Sequence, residues 1–345
     1  MKKLLYTAAA VCLAAAFFIT TVHAQPVMSA KCCILIDTDT GEVLYEHQAD
    51  RASLIASTTK IMTAVVALEH AELNTKFEIP AQAAGIEGSS MYLKVGEILT
   101  VEELLYGMML QSGNDAAIAL ALACSGSVEE FVALMNLKAQ ELQLQNTHFE
   151  NPNGLDGEKH YSSARDLAKL TQYALQNEVF ARIVATKTKT VAGRTLTNHN
   201  RLLWRCDGCV GVKTGYTKAA GRTLVSAAER NGRRLIAVTL CDGNDWQDHR
   251  TLYDYGFSLY QQKTIVQKGE PVAKISLMNG QNISLLAAEN VDYFLKEGEK
   301  VTVTVDYPKS AFESGEAYSA AGYGTVYLGS RKIATIELLW GDGSA

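Results

Sequence analysis

The sequence lacks a glycine-rich phosphate or dinucleotide loop, an internal repeat and any low-complexity tract. Nucleotide-binding motifs of the Rossmann and phosphate-loop type are therefore missing, and so are repeat architectures. Its 7 histidines show no metal-ligand spacing, and Cys206 and Cys209 have no second pair at zinc-finger distance. Neither a metal nor a cofactor is expected on that ground. Positive charge is also short: 32 Lys and Arg stand against 37 Asp and Glu. An acidic surface argues against a nucleic-acid partner.

The first 24 residues stand apart. Lys2 and Lys3 precede the apolar stretch Leu4 to Ile19, and Val22-His23-Ala24 gives a small-x-small cleavage pattern. This reads as a secretory signal peptide, too short and too alanine-rich for a retained anchor. An exported chain follows, long enough for a large core domain and a smaller one. Export permits disulfides, and Cys206-Asp-Gly-Cys209 is the best-spaced pair, but buried free thiols are the preferred reading of the cysteines.

Residues 32 to 47 alternate about a Thr-Gly turn and read as a hairpin. IASTTKIMTAVVALEH opens a helix at about Ser57, and a polar, irregular stretch runs on to Gly96. Thr100 with Glu103, and Ser127 with Glu130, are capping boxes that mark helix starts. DAAIALALAC from Asp115 is apolar on all sides, as in a central buried helix, and residues 163 to 177 supply an amphipathic one. From about 186 the period becomes that of strands: TKTKTVA, CVGVKTGYT, RTLVSAAER and RRLIAVTL, the last two joined by the type I′ turn signal Asn231-Gly232. One antiparallel sheet is expected, pairing the first hairpin with strands far along the chain. A helix over 245–261 would close this domain, assigned to 25–262. From 263 to 345 short alternating segments predict a small all-β domain.

One feature of the Ser57 helix is chemical. Ser57 and Lys60 are three apart, so hydroxyl and amine share one helical face. A serine is a poor nucleophile until a base takes its proton, and a lysine serves only when kept neutral by desolvation or a second cation. Alone, Ser-x-x-Lys is a weak signal. It is joined by Ser112-Gly113-Asn114 before the buried helix and by Lys213-Thr214-Gly215 on a strand.

With these three motifs, and with LQSGNDAA, NPNGLDGEKHYSSARDLA and GVKTGYTKAAGRTLV, the chain resembles the low-molecular-mass penicillin-binding proteins. These are serine-type D-alanyl-D-alanine carboxypeptidases of the peptidase S11 family. The resemblance covers about residues 28 to 260 closely, and the β-rich tail looks like the family's accessory domain. It implies an α/β (α+β) fold of the β-lactamase/DD-peptidase type, with an antiparallel sheet, helices on both sides and a helical cluster. It further implies that Ser57 attacks a peptidoglycan stem peptide ending in D-Ala-D-Ala, that Lys60 is the base, and that Ser112 and Lys213 pass a proton to the leaving amine. Asn114 would hold the substrate amide and Lys60, and Thr214 with Lys213 the terminal carboxylate. Gly215 would leave room for the substrate backbone, and the N–H groups of Ser57 and Tyr216 would form the oxyanion hole. β-Lactams would acylate Ser57. The family commonly adds a C-terminal amphipathic helix for peripheral membrane contact, a segment expected to be absent from this chain, and the resemblance implies an extracytoplasmic place in the wall or at the membrane's outer face.

Two other readings share the fold: a wall-binding protein with little turnover, and a β-lactamase. Gly113 and the sequence Glu150-Asn151-Pro152-Asn153 both depart from the class A β-lactamase pattern, and Glu150 reads as a loop residue. His160 and Tyr161 are expected to pack rather than react. His199 and Arg201 are expected in a solvated loop.

Overall fold

The computed structural model describes residues 25–276, 282–306 and 320–341, so the expected leader Met1–Ala24 lies outside the described residues. β1 (Cys32–Asp37) and β2 (Val43–His47) form the expected hairpin. Ser57 sits in one 3-10 turn, Ala56–Thr59, which runs into α1 (Lys60–His70). A tighter turn thus replaces the first turn of the continuous helix expected there.

The stretch read as irregular holds a short ladder of β3 (Lys76–Glu78) and β4 (Ile98–Thr100). α2 (Val101–Leu110) opens on both bonds of the Thr100–Glu103 capping box. α3 (Asn114–Ser125) and α4 (Val128–Glu141) follow, and Ser127 accepts the Glu130 N–H at the second start. The amphipathic segment is α5 (Ala164–Ala174). A further helix, α6 (Glu178–Ala185), begins at Asn177, whose side chain accepts the first free N–H groups. β5 (Thr188–Val191) and β6 (Arg194–Thr197) make a hairpin where one strand was expected.

After α7 (Leu202–Arg205) come β7 (Cys209–Thr217), β8 (Gly221–Arg230) and β9 (Arg233–Leu240). Asn231 and Gly232 take φ +51° and +74°, both left-handed as a type I′ turn requires. The sheet order is β2-β1-β9-β8-β7, and β1 pairs antiparallel with β9, joining the first hairpin to the late strands. Side chains alternate across β1. Cys32, Ile34 and Ile36 enter the large core of α1 to α6. Leu35 instead meets Leu252 and Tyr253 of α8 (Asp245–Ser258) on the opposite face. Helices therefore cover both faces, as the period of two in a strand dictates.

α8 stops at Ser258, short of the expected residue 261, because Tyr260 turns inward. Its hydroxyl donates to Asp37 at 2.6 Å, and the Arg233 guanidinium lies 4.4 Å from its ring centre. Here β10 (Tyr260–Val266) begins, followed by β11 (Pro271–Ser276), β12 (Asn282–Ala287), β13 (Val291–Lys296), β14 (Val301–Asp306), β15 (Ala320–Leu328) and β16 (Arg331–Trp340). Among the described residues this tail is all β, with a sheet β11-β12-β16-β15-β14 and the ladder β10-β13. Leu285, Val326, Ile336 and Leu338 fill its own core.

The two cores meet across polar contacts. Buried Arg233 donates to Asp37 and to Glu299. Arg331 pairs with Asp39, Lys296 with Glu42, and the Tyr293 hydroxyl donates to the Gly232 carbonyl at 2.8 Å.

Candidate active site

Lys60 is fully buried, and its Nζ lies 2.9 Å from Ser57 Oγ, 2.7 Å from Asn114 Oδ1 and 2.5 Å from the Asn153 carbonyl. The two carbonyl oxygens can only accept. A neutral amine has two hydrogens and one lone pair, so those acceptors take both hydrogens and the lone pair is left for the Ser57 hydroxyl. Burial, and then the nearby Lys213 ammonium, push the Lys60 pKa well below the ordinary lysine value, with Asp115 opposing. The electrostatics favour the basic form, and the arrangement accommodates it.

The Asn153 carbonyl is a site group that the sequence reading missed. It belongs to a turn that packs on both the Ser57 segment and α1. Thr63 donates to the Pro152 carbonyl at 2.6 Å, and Gly154 N–H donates to Asn151 Oδ1 at 2.7 Å. Gly154 has φ +85°, and a Cβ there would lie 2.1 Å from the Ala56 carbonyl oxygen. Asn-Pro-Asn-Gly is strong turn chemistry, so a turn was detectable, though not what it would touch.

His160 braces the same turn. Glu150 N–H donates to its Nδ1 at 3.0 Å, which places the ring proton on Nε2, from where it donates to Thr59 Oγ1 at 2.8 Å. The Thr59 hydroxyl in turn donates to the Ala56 carbonyl at 2.9 Å. Burial holds the His160 pKa down to about 4, so the ring stays neutral. It packs edge-on to Phe149, as expected of a structural residue. Glu150 lies outside helix and strand with its carboxylate accepting the Lys159 N–H at 3.0 Å, so its loop reading stands.

Asn114 opens α3, after Gly113 at the N-cap. Its Nδ2 already donates to the Glu87 carbonyl at 2.6 Å, while Oδ1 holds Lys60. Its principal contact is thus the lysine, and the expected hold on a substrate amide is confined to its one remaining hydrogen. A side chain at Gly113 would meet Asp115 Oδ1 at 2.8 Å. That carboxylate is committed: it accepts from Ser90 Oγ at 2.6 Å and from the N–H groups of Met91 and Leu93. Ser112 is buried in the left-handed region at φ +59° and lines the cleft beside Ser57.

On β7, Lys213 is buried and its pKa is pushed down to about 7 by that burial; its Nζ donates to the Thr214 carbonyl at 2.9 Å. A Cβ at Gly215 would lie 2.4 Å from Thr223 Oγ1, 2.9 Å from the Ser57 nitrogen and 3.1 Å from Ala56 Cβ. The glycine lets the Ser57 turn sit against β7, and it also lines the cleft where substrate room was expected. The same closeness brings the Ser57 nitrogen alongside the Gly215-Tyr216 step.

Ser57, Ser112, Thr214, Gly215 and Tyr216 line one cleft of about 780 Å³. His199 and Arg201 line it as well, and so do Trp204, Arg222 and Trp246, which the sequence reading did not single out. Arg222 reaches the cleft with its guanidinium held by Asp245 at 3.0 and 2.6 Å and stacked on Trp246. Among the described residues every cysteine is free, Cys206 and Cys209 included, and no cluster of potential metal ligands occurs.

A buried amine facing a serine, on an antiparallel sheet flanked by helices, defines a serine acyl-transfer enzyme of the β-lactamase/DD-peptidase fold. The D-alanyl-D-alanine carboxypeptidase family model matches residues 19–244, and the model for the C-terminal domain of penicillin-binding protein 5 matches residues 260–342. The chain belongs to this carboxypeptidase family. It is 37% identical over 285 residues to the D-alanyl-D-alanine carboxypeptidase DacF of Bacillus subtilis, covering 78% of this chain and 73% of that one. With DacA of Escherichia coli it shares 35% over 326 residues, 86% and 79% of the two chains. Penicillin binding protein 5 from Haemophilus influenzae superposes with a TM-score of 0.67 at 27% identity, over 93% of this chain and 98% of the other.

Proposed function

We propose that the chain removes the terminal D-Ala from peptidoglycan stem peptides through an acyl-enzyme on Ser57. It is a D-alanyl-D-alanine carboxypeptidase, a hydrolase of the S11 family. The observation that carries the mechanism is the buried Lys60 amine, 2.9 Å from Ser57 Oγ with two carbonyl acceptors on its other side.

In this reading Lys60 takes the Ser57 proton as Oγ attacks the carbonyl of the penultimate D-Ala. The developing oxyanion is received by the N–H groups of Ser57 and Tyr216. The C–N bond then breaks, and the leaving D-Ala amine gains a proton passed through Ser112, with Lys213 beside it. Water attacks the ester, returning its proton through Lys60, and the free serine is restored. Thr214 and Lys213 receive the substrate carboxylate, and Asn114 fixes Lys60. All groups these steps need are side chains and backbone amides of this chain. β-Lactams, which mimic D-Ala-D-Ala, bind the same cleft and acylate Ser57.

Residues 25–262 are assigned to catalysis and 263–345 to the accessory β domain, with the first accessory strand already under way at Tyr260. Family members act outside the cytoplasm on the wall, and we place this enzyme there too. Peripheral membrane contact stays an implication of the family resemblance.

The β-lactamase reading is not favoured, since Glu150 is not among the residues that line the cleft with Ser57 and its carboxylate instead receives the Lys159 N–H. The test is D-Ala release from diacetyl-L-Lys-D-Ala-D-Ala by the wild-type chain and by Ser57→Ala. Release that disappears in the variant is expected. Release that persists would place the nucleophile elsewhere.

A further inference from the structure

A second groove of about 560 Å³ adjoins the active-site cleft, and Gln111 lines both. Ser89 and Thr197 of the cleft neighbour Ser90 and Leu196 of the groove in the chain, so the two are continuous. The groove runs between the segment leading to Glu97 and the β5–β6 hairpin.

Tyr92 stands on it in an unusual state. Its φ is +61°, and its side chain is 80% exposed. A bulky residue in the left-handed region is a backbone outlier, and such strain persists only where the surroundings impose it. They do so here. Tyr92 N–H donates to Ser90 Oγ at 2.8 Å, Ser90 donates to Asp115 at 2.6 Å, and Arg194 donates to the Tyr92 carbonyl at 2.9 Å. Asp115 adjoins Asn114, the residue holding Lys60, so the active-site scaffold also fixes the backbone from which the Tyr92 ring projects. With the ring in solvent, the fold gains little from an aromatic side chain there, and glycine would suit the backbone better.

Among the residues that line the groove, two cations, Lys94 and Arg194, face one carboxylate, Glu97. Arg194 places both fork nitrogens on Glu97, at 2.5 and 2.8 Å, and the two charges cancel. The exposed Lys94 side chain makes no hydrogen bond or ion pair among the described residues. The Lys94 ammonium acts on Glu97 only through its charge, and Asp115 lies behind the groove and acts on Arg194, so among the lining residues the Lys94 ammonium is the cation with no hydrogen-bonded carboxylate.

We propose that this groove is an extension subsite for the polymer-linked part of the stem peptide, in which Lys94 meets a substrate carboxylate and Tyr92 covers the bound chain. The proposal rests on the carboxypeptidase reading above. Upstream of the reacting D-Ala-D-Ala, the γ-linked glutamyl residue of a stem peptide carries a free carboxylate, the charge that Lys94 complements. An exposed aromatic face suits the backbone or sugar beside it.

The test compares D-Ala release from three probes. These are diacetyl-L-Lys-D-Ala-D-Ala, a disaccharide pentapeptide with a free glutamyl carboxylate, and the same compound amidated there. Lys94→Gln is expected to raise KM about two- to fivefold for the carboxylate compound alone, the strength of a solvent-exposed ion pair. Its kcat, and all constants for the other two probes, should hold. Tyr92→Gly is expected to raise KM for both disaccharide compounds while raising the melting temperature by releasing the strain at φ +61°. Equal changes on all three probes, or none on the carboxylate compound, would overturn the subsite. Absence of release from the diacetyl tripeptide by the wild-type enzyme would instead overturn the carboxypeptidase reading beneath it.

Discussion

Replacing Lys213 with methionine should make the protein more stable and much less active. The lysine is 1% exposed, and burial takes its pKa from 10.5 to about 7. A folded-state value below the unfolded one means that the unfolded chain binds more protons between the two. Stability therefore rises with pH through that window, and below about pH 7 the buried charge is fully a burden. A shift of this size corresponds to about 4 to 5 kcal/mol at most. Lys213→Met removes the burden, so its gain over wild type should be greatest near pH 6, shrink steadily above about pH 7 and vanish near pH 10. Urea unfolding at several pH values measures it. The cost falls on chemistry, since the Lys213 charge is the second cause that holds the Lys60 pKa down. A variant no more stable than wild type at pH 6, or a gain that ignores pH, would refute the reasoning.

Other outcomes follow from single contacts. Asn114→Ala removes one of the two acceptors on Lys60 and should lower kcat about a hundredfold, with the circular dichroism spectrum unchanged. Gly215→Ala pushes a methyl group against Thr223 and the Ser57 nitrogen, so penicillin acylation should slow about a hundredfold through misplacement of the serine. Were substrate clearance the glycine's only role, penicillin binding would weaken while small acylating reagents still reacted at the normal rate. Arg233→Met leaves Asp37 and Glu299 without their cation and should cost about 3 to 5 kcal/mol in urea unfolding. An unchanged midpoint would show that the junction contributes nothing.

The sequence was most informative where local chemistry and tertiary structure agree. The Thr100–Glu103 box, the Asn231-Gly232 turn and the alternating strands each carry their signal within a few residues, and the structure follows them. The chemical motifs were legible for a similar reason: Ser57 and Lys60 are neighbours on one turn, so spacing alone brings them together. Contacts across the chain were not legible. The Asn153 carbonyl is a backbone atom with no residue-type signature, and its role arises only when the 151–154 turn folds onto the Ser57 segment. The packing of Gly215 on the Ser57 turn was not legible because a sequence shows that a side chain is missing, not which neighbour needs the space. α8 was extended too far because Tyr260 suits a helical pattern until Asp37 and Arg233 draw it into a strand. α6 escaped notice because Asn177 can equally begin a turn, and its helix is short.

The central claim is that Lys60 is the base and is neutral in the resting enzyme. Its most direct test is the rate of Ser57 acylation by penicillin as a function of pH. A lysine whose pKa its site holds well down predicts a rate that levels off well short of the ordinary lysine range near about pH 10. A rate that climbs tenfold per pH unit up to about pH 10, as an ordinary lysine base requires, would contradict the account.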